Sequence, residues 1–153
     1  MTIIKTRSLL TALLLACLAS AAAAQGVPQD LPAITLTAGM HNIRAAVAQT
    51  DEQLTTGLMY RRQMAQHEGM LFVYDYPARR CFWMKNTILP LSIAFLADDG
   101  TVVNIEDMQP QTLDSHCSTQ PVRYALEMHQ GWFAKRGIKA GSKLGGKPFS
   151  AAR

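Results

Sequence analysis

The chain has 153 residues, 15 of them lysine or arginine against 11 aspartate or glutamate, for a net charge of +4, and 48% are hydrophobic. That length suits one domain with its own core, and the basic residues are scattered with no aromatic-interleaved run, which excludes a nucleic-acid-binding stripe. The sequence holds no phosphate loop, no nucleophile elbow and no paired carboxylates with an identifiable partner base, so it names no reaction.

Residues 1–24 read as an export signal peptide. Lys5 and Arg7 charge its start, Ser8 to Leu18 is apolar but too short for a bilayer core of about 30 Å, and Ala22 and Ala24 form a cleavage pattern before Gln25. The expected mature protein is periplasmic or secreted, with no transmembrane span once the leader is gone. A rival processing site at Leu14-Leu15-Ala16-Cys17 would leave Cys17 lipidated and the domain anchored to a membrane. The apolar run continues through Cys17 into Leu18 and a row of alanines, which favours ordinary cleavage. Losing the leader leaves 13 basic and 11 acidic residues, so the basic balance carries little weight.

Residues 25–32 form a proline-bearing polar lead-in, expected to be extended and flexible. Strands are predicted over Ile34 to Thr37 and His41 to Ala48 around a turn at Gly39, with Ile43, Ala45 and Val47 sharing the apolar parity. Thr50-Asp51-Glu52-Gln53 is a capping box, and the helix it opens is predicted to run to about Tyr60 with Leu54 and Leu58 buried. Gly57 weakens such a helix, which implies close backbone contact there. A polar connection from Arg61 to Glu68 leads into a short buried strand, Met70 to Tyr74.

From Cys81 to Thr87, Phe82, Met84 and Asn86 alternate with Cys81, Trp83, Lys85 and Thr87, predicting a strand with two different faces before Pro90 interrupts. Leu91 to Leu96 is a second strand, Asp98-Asp99-Gly100 a tight turn, and Thr101 to Ile105 the β-branched returning partner. The turn-rich segment after Met108 reads as a long loop. Val122 to His129 returns to strand alternation, Gln130 to Arg136 is a short helix closed by Gly137, and a short strand sits around Lys143 and Leu144 before a frayed tail at 146–153.

Short strands and one or two small helices predict a mainly β fold: a compact barrel-like or sandwich-like antiparallel domain over residues 33–145. Missing long helices exclude a Rossmann-like βαβ arrangement. With Cys17 discarded, Cys81 and Cys117 remain together in an oxidising compartment, so a disulfide is predicted, stabilising by about 3 to 4 kcal/mol on the chain-entropy account. A reactive or metal-binding pair is the weaker reading, because the spacing is not CxxC.

Candidate chemistry gathers on few residues. Trp83 could stack on a ligand while Lys85 or Asn86 hydrogen-bonds it; the plainer alternative is a structural role for all three. Glu127 lies mid-strand among apolar residues, where a carboxylate needs a partner, with Lys85 or Arg61 as nominee. Without a cation its pKa would rise and it could serve as a general acid or base. Seven methionines and four histidines in the mature chain raise a copper reading, but Met59, Met70, Met84 and Met128 fall where core methionines fall, and Met128 and His129 point to opposite faces. No metal site and no cofactor are predicted.

Several of these segments, in order, resemble one family. Phe82-Trp83-Met84-Lys85-Asn86-Thr87 followed by Pro90, Leu91, Ile93 and Phe95 is similar to the core motif of domain of unknown function 192. Gly57 to Arg61, Gly69 to Phe72, and Leu126-Glu127 with Gly131-Trp132 resemble its other segments, and the resemblance spans roughly Val47 to Leu144. It implies a compact β-rich fold and no particular reaction. One departure is Ser92, where the family more often has Asp, so any function of that carboxylate would be lost or moved here. The leading expectation is an exported binding or accessory module for a small molecule or an envelope protein, with Arg61, Trp83, Lys85, Asn86 and Glu127 lining the site. The rival expectations are an enzyme using Glu127 and a periplasmic copper-handling protein.

Overall fold

The computed structural model describes residues 26–149. The expected leader with Cys17, and residues 150–153 of the expected tail, lie outside the described residues.

The chain opens with a hairpin, β1 (Ala33–Ala38) against β2 (His41–Ala48), turning at Gly39 with φ 59° and carrying the 91% exposed Met40 at its tip. Helix α1 (Asp51–Thr56) follows, with the Thr50 hydroxyl accepting from the Gln53 amide and the Gln53 side chain closing the capping box. The helix stops short of Tyr60. Gly57 takes φ 49° and its N–H donates to Gln53 O, while a Cβ there would stand 3.2 Å from the Phe72 ring, so the close approach expected at Gly57 ends the helix. Because α1 carries the chain across, β3 (Glu68–Ala78) returns parallel to β2, from Arg44 opposite Glu68 to Ala48 opposite Phe72. This is one parallel pairing in a sheet expected to be antiparallel.

The remaining sheet strands are β5 (Leu91–Leu96), β6 (Val102–Met108), β8 (Val122–His129) and β9 (Leu144–Gly145), giving the order β6-β5-β8-β3-β2-β1-β9. The β5–β6 hairpin forms as expected, with Gly100 at φ 83° in its turn. The sheet curls until its outer edges meet at one end. There Val102 N donates to Ser142 O at 2.8 Å, Gly141 N to Val102 O at 2.8 Å, and Leu144 N to Gly100 O at 2.9 Å. Gly137, at φ 68°, closes the 3-10 turn Ala134–Arg136 in the place of the expected short helix. The fold is thus mainly β and barrel-like.

Both sheet faces are covered. One core gathers Leu36, Ile43, Leu71, Leu126, Trp132 and Phe133; the other gathers Phe72, Met84, Leu91, Ile93 and Phe95, with Leu54 of α1 and Phe82 packed against it. Strand β5 contributes to both, Ala94 and Leu96 to the first and Leu91, Ile93 and Phe95 to the second, so all six residues are buried.

The strand expected over Cys81 to Thr87 is cut short. Only β4 (Cys81–Phe82) is extended, and it pairs with β7 (His116–Cys117) in a separate two-stranded ladder. Beyond it the chain turns: Met84 N donates to Thr112 O, Thr87 N to Met84 O, and Asn86 adopts φ 54°. The turn breaks the period-2 pattern: it buries Met84 and Thr87, three apart, and exposes Trp83, Lys85 and Asn86. The predicted disulfide, Cys81 to Cys117, closes the β4–β7 ladder. Residues 26–32 form no strand or helix, yet Gln29 Nε2 ties them to Gln53 O at 3.0 Å and Gly57 O at 2.8 Å. Among the described residues, no helix is long and apolar enough to cross a membrane.

Candidate functional site

A cleft of about 490 Å³ opens between α1, the end of β3 and the β4 segment. Leu54, Gly57 and Leu58 supply one wall, Phe72 and Tyr74 another, and Arg80 to Trp83 a third, with Thr87 and Glu127 also lining it.

Glu127 dominates its chemistry. It sits on β8 with Met70 opposite on one side and Ile93 on the other, both fully buried, and is itself only 4% exposed. Its carboxyl makes no hydrogen bond or ion pair with any described residue, so burial alone pushes its pKa from 4.5 up to about 8. At neutral pH it is a neutral acid, able to donate its O–H to an acceptor in the cleft.

Tyr74 and Arg80 stand beside it. Burial raises the Tyr74 phenol; the Arg80 charge opposes that shift and the Glu127 carboxylate adds to it, so the phenol lies within electrostatic reach of both. The Arg80 guanidinium stacks 3.8 Å above the Tyr74 ring and 5.1 Å from the Tyr76 ring, and its Nη2 donates to Tyr76 O. Its Nε is buried without a partner. The disulfide ladder holds this arginine in place: Arg80 N donates to Ser118 Oγ at 3.0 Å, and Ser118 N returns to Arg80 O at 2.8 Å.

The expected site residues divide between two places. Trp83, 47% exposed, lines the cleft with Glu127, while Arg61 and Asn86 line a separate recess of about 790 Å³. Lys85 lines neither; its Nζ lies 5.4 Å from the Trp83 ring centre, in solvent. Neither nominated cation reaches Glu127, and Arg61 Nη2 instead donates to Gln29 O at 3.1 Å. Arg80 and Tyr74 went unmarked in the sequence. Their one signal was an arginine pair following two tyrosines spaced two apart, Tyr74 and Tyr76, a spacing that puts both rings on one face of a strand.

Among the described residues, no three His, Cys, Asp or Glu side chains gather as metal ligands. Met70, Met84, Met108 and Met128 are fully buried in the two cores, and His129 Nε2 is engaged with Met64 O at 2.8 Å. Ser92 on β5 is held by two partners. Ser92 Oγ accepts from Gly131 N at 2.8 Å and donates to Asp107, its cross-strand partner on β6.

Two solved structures share this fold. A Sinorhizobium meliloti 1021 protein, provisionally named a transcription regulator, is 36% identical with a TM-score of 0.71 over 79% of this chain and 97% of its own. A protein of unknown function from Novosphingobium aromaticivorans DSM 12444 is 31% identical with a TM-score of 0.73 over 79% of this chain and 94% of its own. No curated protein matches the chain. Residues 34–146 match the family DUF192, described as an uncharacterized ACR, and this protein therefore belongs to the domain of unknown function 192 family.

Proposed function

We propose that this protein is an exported small-ligand binding module that holds its ligand in the cleft over Glu127. The observation that carries the reading is a buried carboxyl, unpaired among the described residues, that lines an open cleft. A carboxyl this desolvated is poorly hydrated, and a ligand acceptor in the cleft could take its O–H. Trp83 offers a half-exposed ring for an apolar or sugar face, and Arg80 offers a cation next to the cleft. Together they suit a small molecule with a hydrogen-bond acceptor at one end and an apolar face.

The raised Glu127 pKa favours one second reading, general acid–base catalysis. A group that titrates near 8 is poised for proton transfer close to neutral pH.

Native mass spectrometry of protein purified from the periplasm, followed by a thermal-shift screen of polar metabolites, tests both readings. A retained or stabilising ligand whose effect is lost in Glu127→Leu and in Trp83→Ala, with both variants folded, supports binding. Turnover that disappears in Glu127→Gln while binding persists would move the assignment to catalysis. Ligands that bind both cleft variants as tightly as the parent would refute the cleft as the site.

A further inference from the structure

Three described residues other than glycine adopt a positive φ: Tyr60 at 63°, Asn86 at 54° and Gln111 at 61°. All three line the second recess. Such backbone is uncommon for residues other than glycine and persists where surrounding contacts overdetermine it. Here three separate segments hold one another: Tyr60 N donates to Asn86 O at 2.9 Å, Asn86 Nδ2 to Tyr60 Oη at 2.9 Å, and Gln111 N to Thr87 O at 3.0 Å. Glycine would relieve each position, yet side chains capable of hydrogen bonding stand at all three.

The recess also has an electrostatic character. Arg61 is half-buried and steered by the Gln29 carbonyl, and Arg62 and Asp30 also line the recess. Because Tyr60 Oη accepts from Asn86, its own hydrogen is left to donate.

We propose that this recess, distinct from the Glu127 cleft, binds a small anionic molecule through a carboxylate or phosphate seated on Arg61, with Tyr60 and Asn86 as further anchors. A planar guanidinium suits either oxyanion. The left-handed backbone holds the donors in place before the ligand arrives.

The test is a two-dimensional NMR titration of the purified protein with inorganic phosphate, acetate and N-acetylglycine, each at ionic strength matched with chloride. Saturating shifts at residues 60–62, 86 and 111 are expected with at least one oxyanion. Binding should weaken about tenfold in Arg61→Gln and remain unchanged in Trp83→Ala, which touches only the first cleft. Asn86→Gly is the second variant: it relieves the backbone, so the melting temperature should hold or rise while affinity falls. Phosphate-only binding would point to phosphate esters, and carboxylate-only binding to organic acids or peptide termini. Shifts that merely match those of chloride, the absence of saturation with all three probes, or undiminished binding in Asn86→Gly would each overturn the proposal.

Discussion

Glu127 on β8 lies directly opposite Ile93 of β5, with Met70 of β3 on its other side. A carboxyl flanked by two buried apolar residues and lacking a partner among the described residues keeps its proton, which gives stability a definite pH dependence. Its folded pKa of about 8 stands above the 4.5 of an ordinary glutamate, so the folded state retains a proton that the unfolded state loses as pH rises past 4.5. The contribution is fully present below pH 4.5 and is lost progressively up to about pH 8, on the order of 3 kcal/mol of it by pH 7. Urea denaturation at pH 5, 7 and 8.5 should show this decline, and Glu127→Gln should flatten it and be the more stable protein at pH 8.5. Parallel pH profiles for parent and variant would show that Glu127 is not the group responsible.

Ser92 links the Gly131 amide to Asp107, a carboxylate one strand away. Ser92→Asp alone would set two carboxylates against each other at a position 1% exposed, and should destabilise by about 2 kcal/mol at pH 7. Adding Asp107→Ser leaves a single carboxylate in the pair and should recover most of that loss. A double-mutant cycle from urea midpoints measures the coupling, and simple additivity would refute the relay.

Local chemistry made part of this structure legible in the sequence. The β5–β6 hairpin follows from Asp98-Asp99-Gly100 between two apolar runs, and the start of α1 from its capping box, because each signal is complete within a few residues. The parallel β2–β3 pairing was illegible, since it depends on where a crossover lands. Residues 83–87 misled for a different reason: the residue types alternate as in a strand, yet a turn through left-handed Asn86 buries Met84 and Thr87, three apart, and leaves Lys85 and Asn86 both exposed. At the site, Glu127 stood out as a carboxyl among apolar neighbours. Arg80 did not, because what brings it over Tyr74 is the irregular register between Val73 and Ala78 together with the distant Cys117 ladder.

The disulfide should matter to the cleft as well as to the fold. It closes a loop of sequence separation 36, which corresponds to about 3 to 4 kcal/mol on the chain-entropy account. Cys81→Ala/Cys117→Ala should lose about that much by urea denaturation. It should also release β4 and quench or shift the fluorescence of Trp83, which directly follows the ladder. An unchanged urea midpoint would mean that the β4–β7 hydrogen bonds hold this region without the covalent link.

Gln29 fastens the lead-in across the end of α1, donating from Nε2 to Gln53 O and Gly57 O, while its own carbonyl accepts from Arg61. Gln53 O keeps a second donor in the Gly57 amide, so truncating Gln29 deprives chiefly the Gly57 carbonyl. Gly57 is buried, and an unsatisfied buried carbonyl costs about 1 to 2 kcal/mol, so Gln29→Ala should destabilise by that amount. Limited proteolysis should then cut within residues 26–32 sooner than in the parent, because only Leu31 against the second core, the Arg61 bond to the residue-29 carbonyl and the Val47 bond to the Pro32 carbonyl are described as still holding that segment. Resistance equal to that of the parent would place the anchor elsewhere, and would remove the argument that this segment orients Arg61 for the recess it lines.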